Sequence, residues 1–142
     1  MDFAFTAQQE TLRREVRQFI AENLTDEIVE EMDIHGGADR PRGRGSDVSA
    51  LFGKIRERGW LGIAYPKEYG GQGGDRVSQY IVEEEFHRAG IAITLGGSGA
   101  PAILAAGTEE QKQHYIPRLI SGEITFCLGF TEPHAGADLA SL

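Results

Sequence analysis

Apolar residues return at helical spacing through most of this chain, and that period restricts what it can fold into more than any other feature. Thr6-Ala7-Gln8-Gln9 has the form of a capping box, after which Leu12, Val16, Phe19, Ile20 and Leu24 fall on one face. Thr25 is placed to cap a second, acidic helix carrying Ile28, Val29 and Met32. Ser46 is placed to cap a third, with Leu51, Phe52 and Ile55 as its buried stripe and Gly59 ending it in a left-handed conformation. Trp60, Leu61 and Ile63 then pack inward. A helix from Arg76 to Ala89 turns Val77, Tyr80, Ile81 and Phe86 inward and Glu83, Glu84 and Glu85 mostly outward. Residues 94 to 106 carry no charge and read as a buried helix covered all round. Thr108 and Gln111 form another capping box, and a short helix runs from there to Pro117. Past the turn Ser121-Gly122-Glu123, the β-branched and aromatic run Ile124-Thr125-Phe126-Cys127-Leu128 reads as a strand. The fold expected is mainly α, about five or six helices with one short strand at the C-terminus.

Two stretches break the period. His35-Gly36-Gly37 and the run Asp39-Arg40-Pro41-Arg42-Gly43-Arg44-Gly45 read as a mobile loop, either a solvated connector or a basic contact for a phosphate. Pro66 to Gly74 is rich in glycine but has neither the Lys-Ser/Thr pair of a P-loop nor a G-x-G-x-x-G opening a helix, so it reads as a structural turn. Neighbouring positions on a helix point about 100° apart, so Glu83, Glu84 and Glu85 cannot converge on one metal ion. No metal site is expected.

The 142 residues are one domain's worth, with 40% apolar and 25% charged residues in the ordinary globular range. A formal net charge of −8 opposes nucleic acid or an anionic membrane as the main partner, because both need clustered Lys and Arg. A small soluble ligand or another protein fits better. The single cysteine, Cys127, excludes an internal disulfide and reads as an inert core thiol. The start Met1-Asp2-Phe3-Ala4-Phe5 lacks the regions of a signal peptide, and no apolar run approaches the ~20 residues that span a bilayer, so the cytoplasm is expected.

The chemistry-bearing stretch is Gly129-Phe130-Thr131-Glu132-Pro133-His134-Ala135-Gly136-Ala137-Asp138. Pro133 cannot donate to a sheet ladder, so the strand must end in a turn whose backbone N–H groups can form a concavity for phosphate oxygens; an ordinary strand-ending turn is the alternative. This run resembles the flavin-contacting segment of the acyl-CoA dehydrogenase family, approximately (G/A/C)-aliphatic-(S/T)-E-P-x-A-G-S-D. Phe130 stands where an aliphatic residue is usual and Ala137 where a serine is usual. Two upstream runs are similar to the same family in the same order: Leu61-Gly62-Ile63-Ala64-Tyr65-Pro66-Lys67-Glu68-Tyr69-Gly70-Gly71-Gln72-Gly73, and Gly107 to Leu119 followed by Ser121-Gly122-Glu123.

The resemblance implies α,β-dehydrogenation of an acyl-CoA thioester, with the β hydrogen leaving as hydride to FAD. It places Leu128, Gly129, Phe130, Thr131, Glu132, Pro133, His134, Ala135, Gly136 and Ala137 along the flavin and its pyrophosphate, with Thr131 offering a hydroxyl to the ring edge and N–H groups near Gly136 and Ala137 meeting phosphate. Ala137, Leu95 and Ser98 are the implied substrate contacts, the last two on a helix lining the acyl pocket. Ala137 lacks a hydroxyl that the family offers to pyrophosphate and substrate, while His134 is either a phosphate donor or an exposed turn histidine. The family's catalytic glutamate and its second, tryptophan-bearing flavin segment are expected downstream of Leu142. Residues 1–122 then form the N-terminal helical domain of an acyl-CoA dehydrogenase-like fold, and 123–142 open its middle β-domain. The implied partners are the acyl-CoA substrate, an electron-transferring flavoprotein as acceptor, and further subunits in a homotetramer or heterotetramer. The alternative is a non-catalytic helical module that assembles with a flavin-competent partner.

Overall fold

The computed structural model describes residues 4–34, 45–93, 95, 97–127, 129, 133, 136, 138 and 140. Six α-helices lie among them: α1 (Ala7–Asn23), α2 (Asp26–Ile34), α3 (Ser46–Glu57), α4 (Arg76–Arg88), α5 (Gly99–Ala106) and α6 (Glu109–Ser121). Single 3-10 turns at Trp60–Gly62 and Lys67–Tyr69 interrupt the passage from α3 to α4. The mainly α architecture is as the period predicts. The loop expected over residues 35–44 lies outside the described residues.

The expected capping box starts α1: Gln9 N–H donates to Thr6 Oγ1 at 3.2 Å, and Thr6 N–H donates to Gln9 Oε1 at 3.0 Å. Val16 and Phe19 are buried, with Leu12, Ile20 and Leu24 packed beside them. That stripe lies against α4, whose N-terminus is capped by Asp75 accepting from Ser78 N–H at 2.6 Å. Phe19, Trp60 and Phe86 meet where α1, the 3-10 turn after α3 and α4 converge, edge to face with ring centroids 5.0 to 6.0 Å apart. Such pairs each contribute about 0.5–1.5 kcal/mol beyond the area they bury. The Arg58 guanidinium lies 5.8 Å from both the Phe19 and the Trp60 ring centroids.

Glu85 corrects the sequence expectation of an outward acidic face, being only 5% exposed. Ile81, Val82, Glu85 and Phe86 form one stripe of α4, and Glu85 occupies the place in it that meets α1. A buried carboxylate must be paired. Arg13 Nε donates to it at 2.7 Å, and Arg17 donates through Nε at 2.8 Å and Nη2 at 2.9 Å. Val77 and Tyr80, expected inward, are 41% and 55% exposed, because the stripe that faces α1 runs along the neighbouring side of the helix. Val29 is likewise 39% exposed, while Ile28 and Met32 of α2 are buried as expected.

Ser46 is the first residue of α3 and not its cap. Gly45 holds that place, and the missing cap oxygen comes from another helix: the Glu31 carboxylate of α2 accepts from Asp47 N–H at 3.2 Å and Val48 N–H at 3.3 Å. A Cβ on Gly45 would overlap that carboxylate. Gly59 ends α3 as expected, at φ 71°, a region that side chains other than glycine's disfavour.

A second core joins Tyr65, Tyr69, Leu95, Ala100, Ile116 and Leu119, and it holds α5 against α6. The Thr108–Gln111 capping box is present at the start of α6. Pro117 does not end this helix, which runs on to Ser121 and closes at Gly122 with φ 73°. A proline removes one N–H bond, and Ile116 and Leu119, both buried on either side of it, hold the last turn in place. Tyr69 ties the second core to the glycine-rich loop through its hydroxyl, which donates to Glu109 Oε1 at 2.9 Å and Oε2 at 3.1 Å. This carboxylate pushes the Tyr69 phenol up to about 12.

Three further expectations are corrected near the C-terminus. The uncharged helix is shorter than read, beginning at Gly99, and it is not covered all round: Ala102, Ala105 and Ala106 are exposed. Ile124 to Cys127 form no strand, since a ladder needs a neighbouring strand and none lies among the described residues. Cys127 is exposed and is not a core thiol.

Three measurements check these contacts. The Arg17 bond first, and then that of Arg13, hold the Glu85 carboxyl below the usual range against the opposing effect of its burial. The stability this contributes is present above the unfolded value of roughly 4.3 and is lost as pH falls through the lower folded value. Glu85→Gln is expected to cost about 1–3 kcal/mol in urea unfolding at neutral pH, less than a fully buried pair because the Arg17 side chain stays 50% exposed, and to flatten the acid limb of the stability curve. Glu31→Ala should cost about 1 kcal/mol, the size of a lost N-cap. Gly45→Ala should destabilise the parent but add little to Glu31→Ala, because the clash disappears with the carboxylate. In an ultraviolet phenolate titration of the four tyrosines, Tyr69→Phe should remove the one that ionises last.

Candidate functional site

The glycine-rich loop, which a phosphate could occupy on composition alone, has its donors committed elsewhere. Gly71 N–H bonds Pro66 O at 3.0 Å, Gln72 N–H bonds Gly62 O at 3.0 Å, Gly73 N–H bonds Tyr65 O at 2.8 Å and Gly74 N–H bonds Ile63 O at 2.7 Å. The segment folds back on the chain before it, and Gln72 Nε2 donates to the last-turn carbonyl of Arg58 at 3.1 Å. The reading as a structural turn stands, and the residues do not fit a phosphate cradle.

The remaining candidate is the exposed side of α5 with the chain that follows α6. Ser98, expected to contact substrate, precedes α5, is exposed and makes no capping bond. Leu95 has a different place: it is 8% exposed and belongs to the second core. Gly99 is buried beneath Phe126, whose ring lies where a Cβ on Gly99 would stand. The start of α5 and Phe126 are therefore in contact, one residue after Ser98 and two residues before the stretch that the resemblance assigns to the cofactor. The sequence offers only a weak signal for that contact, a glycine at the start of an uncharged helix and an aromatic residue in an otherwise aliphatic and polar run.

Of the ten residues assigned to a cofactor, Gly129, Pro133 and Gly136 are described and exposed. Among the described residues, nothing lies within 4 Å of a Cβ built on Gly129. Leu128, Phe130, Thr131, Glu132, His134, Ala135 and Ala137 lie outside the described residues. Asp138 Oδ1 accepts from Ala140 N–H at 3.2 Å, a local turn contact. Ala102, Ala105 and Ala106 of α5 and nearby Phe126 are exposed, and none of them carries a titratable side chain. Among the described residues no three His, Cys, Asp or Glu side chains come together to hold a metal ion, and no helix is long and apolar enough to cross a membrane.

Comparison with known proteins accounts for this architecture. Residues 6–123 match the family described as acyl-CoA dehydrogenase, N-terminal domain. The acyl-CoA dehydrogenase FadE26 of Mycobacterium tuberculosis is 39% identical over 144 residues, covering 100% of this chain and 35% of its own length. The solved ChsE4–ChsE5 complex from Mycobacterium tuberculosis matches with a TM-score of 0.77 at 36% identity, over 100% of this chain and 35% of the other. A solved structure named Tcur3481–Tcur3483 steroid ACAD matches at 38% identity with a TM-score of 0.74, over 100% of this chain and 36% of the other. The chain thus spans about a third of the length of the relatives it matches. Members of the matched family are FAD-dependent oxidoreductases. A helical domain with this order of caps, turns and cores, matched along nearly its whole length, belongs to the acyl-CoA dehydrogenase family as its N-terminal domain.

Proposed function

We propose that this chain is the helical part of a flavin-dependent dehydrogenase that removes hydrogens from the α and β carbons of an acyl-CoA thioester. The observation that carries the reading is the match of residues 6–123 to the N-terminal domain of that family, within a fold that superimposes along the whole chain. Residues 1–122 are the helical domain and 123–142 the opening of the middle β-domain. Bound FAD supplies the hydride acceptor. The residues that would hold the cofactor are Leu128 to Ala137, with the Thr131 hydroxyl assigned to the ring edge and the N–H groups near Gly136 and Ala137 assigned to pyrophosphate. The openness of Gly129 and the exposure of Pro133 and Gly136 suit a backbone approached by a flat ring. Ser98 and the outer face of α5 border the acyl chain. Leu95 acts behind them by packing, since it is buried in the second core.

Two observations support a ring-bearing acyl group as the substrate class. Ala102, Ala105 and Ala106 put nothing longer than a methyl group on the exposed face of α5, which leaves width for a ring-bearing acyl group. The similarity to a steroid ACAD supports the same width. The acceptor is an electron-transferring flavoprotein, the assembly a homotetramer or heterotetramer, and the place of work the cytoplasm. One observation favours a second reading, a helical subunit that completes a flavin-competent partner: one of the similar structures is a complex of two differently named proteins.

Anaerobic titration of the complete protein with its flavin tests the reading. A CoA thioester of a steroid side chain should abolish the visible absorption of oxidised flavin, and butyryl-CoA should do so less readily; no loss with any acyl-CoA overturns it. Titrating the apo form with FAD tests the turn. Ala137→Ser should tighten binding about ten- to hundredfold, the equivalent of roughly 1.5–3 kcal/mol for a hydroxyl donated to an anionic oxygen. An unchanged constant in both the parent and a His134→Ala background means that the turn faces away from the pyrophosphate.

A further inference from the structure

We draw no further inference here: the strongest candidate, the open-sided cleft between the start of α1, the glycine-rich loop and the start of α4, has Thr6, Gln9 and Asp75 on its wall already engaged in capping those two helices, and nothing in the structure shows what covers it.

Discussion

A carboxylate taken out of water on α4 must find cations, and that requirement aligns the two longest-range partners of the fold. Glu85 is met by Arg13 and Arg17, which stand four residues apart and so lie on one face of α1. The three side chains can meet only if α1 lies along α4 in one register. With that register set, Phe19 arrives between Trp60 and Phe86, and Val16 reaches the same core. The pair of arginines leaves one positive charge in excess at this seam; Glu10, 3.9 Å from Arg13, and Glu84 near Arg17 offset it at the margin.

From that seam the fold extends by linked closures. Trp60 anchors the chain after Gly59, and the glycine-rich loop returns over it through bonds to Gly62, Ile63 and Tyr65. Tyr69 then carries the connection to the first turn of α6, where the Glu109 carboxylate is also favoured by the helix dipole. The second core thus holds α5 against α6. On α5, Ala102, Ala105 and Ala106 are left exposed, and Phe126 lies over Gly99 at its start.

What could be read from the sequence divides by distance along the chain. The caps at Thr6 and Thr108 and the left-handed ends at Gly59 and Gly122 are settled within about four residues, and a local pattern suffices to find them. Partners brought in from other helices left no such trace. Nothing near Ser46 announces that Glu31 caps α3, and the charge of Glu85 pointed to water although its helical position pointed inward. Pro117 shows tertiary packing overriding a local stop signal. The run at 124–127 has strand composition but no neighbouring strand among the described residues, and composition cannot supply one. For the site, the absence of charge pointed to α5 and the family resemblance assigned roles to it and to residues 128–137, whereas the contact of Gly99 with Phe126 emerged only from the fold.

The central claim is that α5 and the segment beyond α6 form one wall of a site for flavin and acyl-CoA, while the glycine-rich loop is structural. Hydrogen–deuterium exchange on the complete protein, compared with and without FAD and an acyl-CoA, addresses it directly. The account predicts slowed exchange at residues 98–106 and 128–138 when the ligands bind, and unchanged exchange at 70–74, whose N–H groups are already bonded within the chain. Protection of 70–74 with 98–106 and 128–138 unaffected would contradict it.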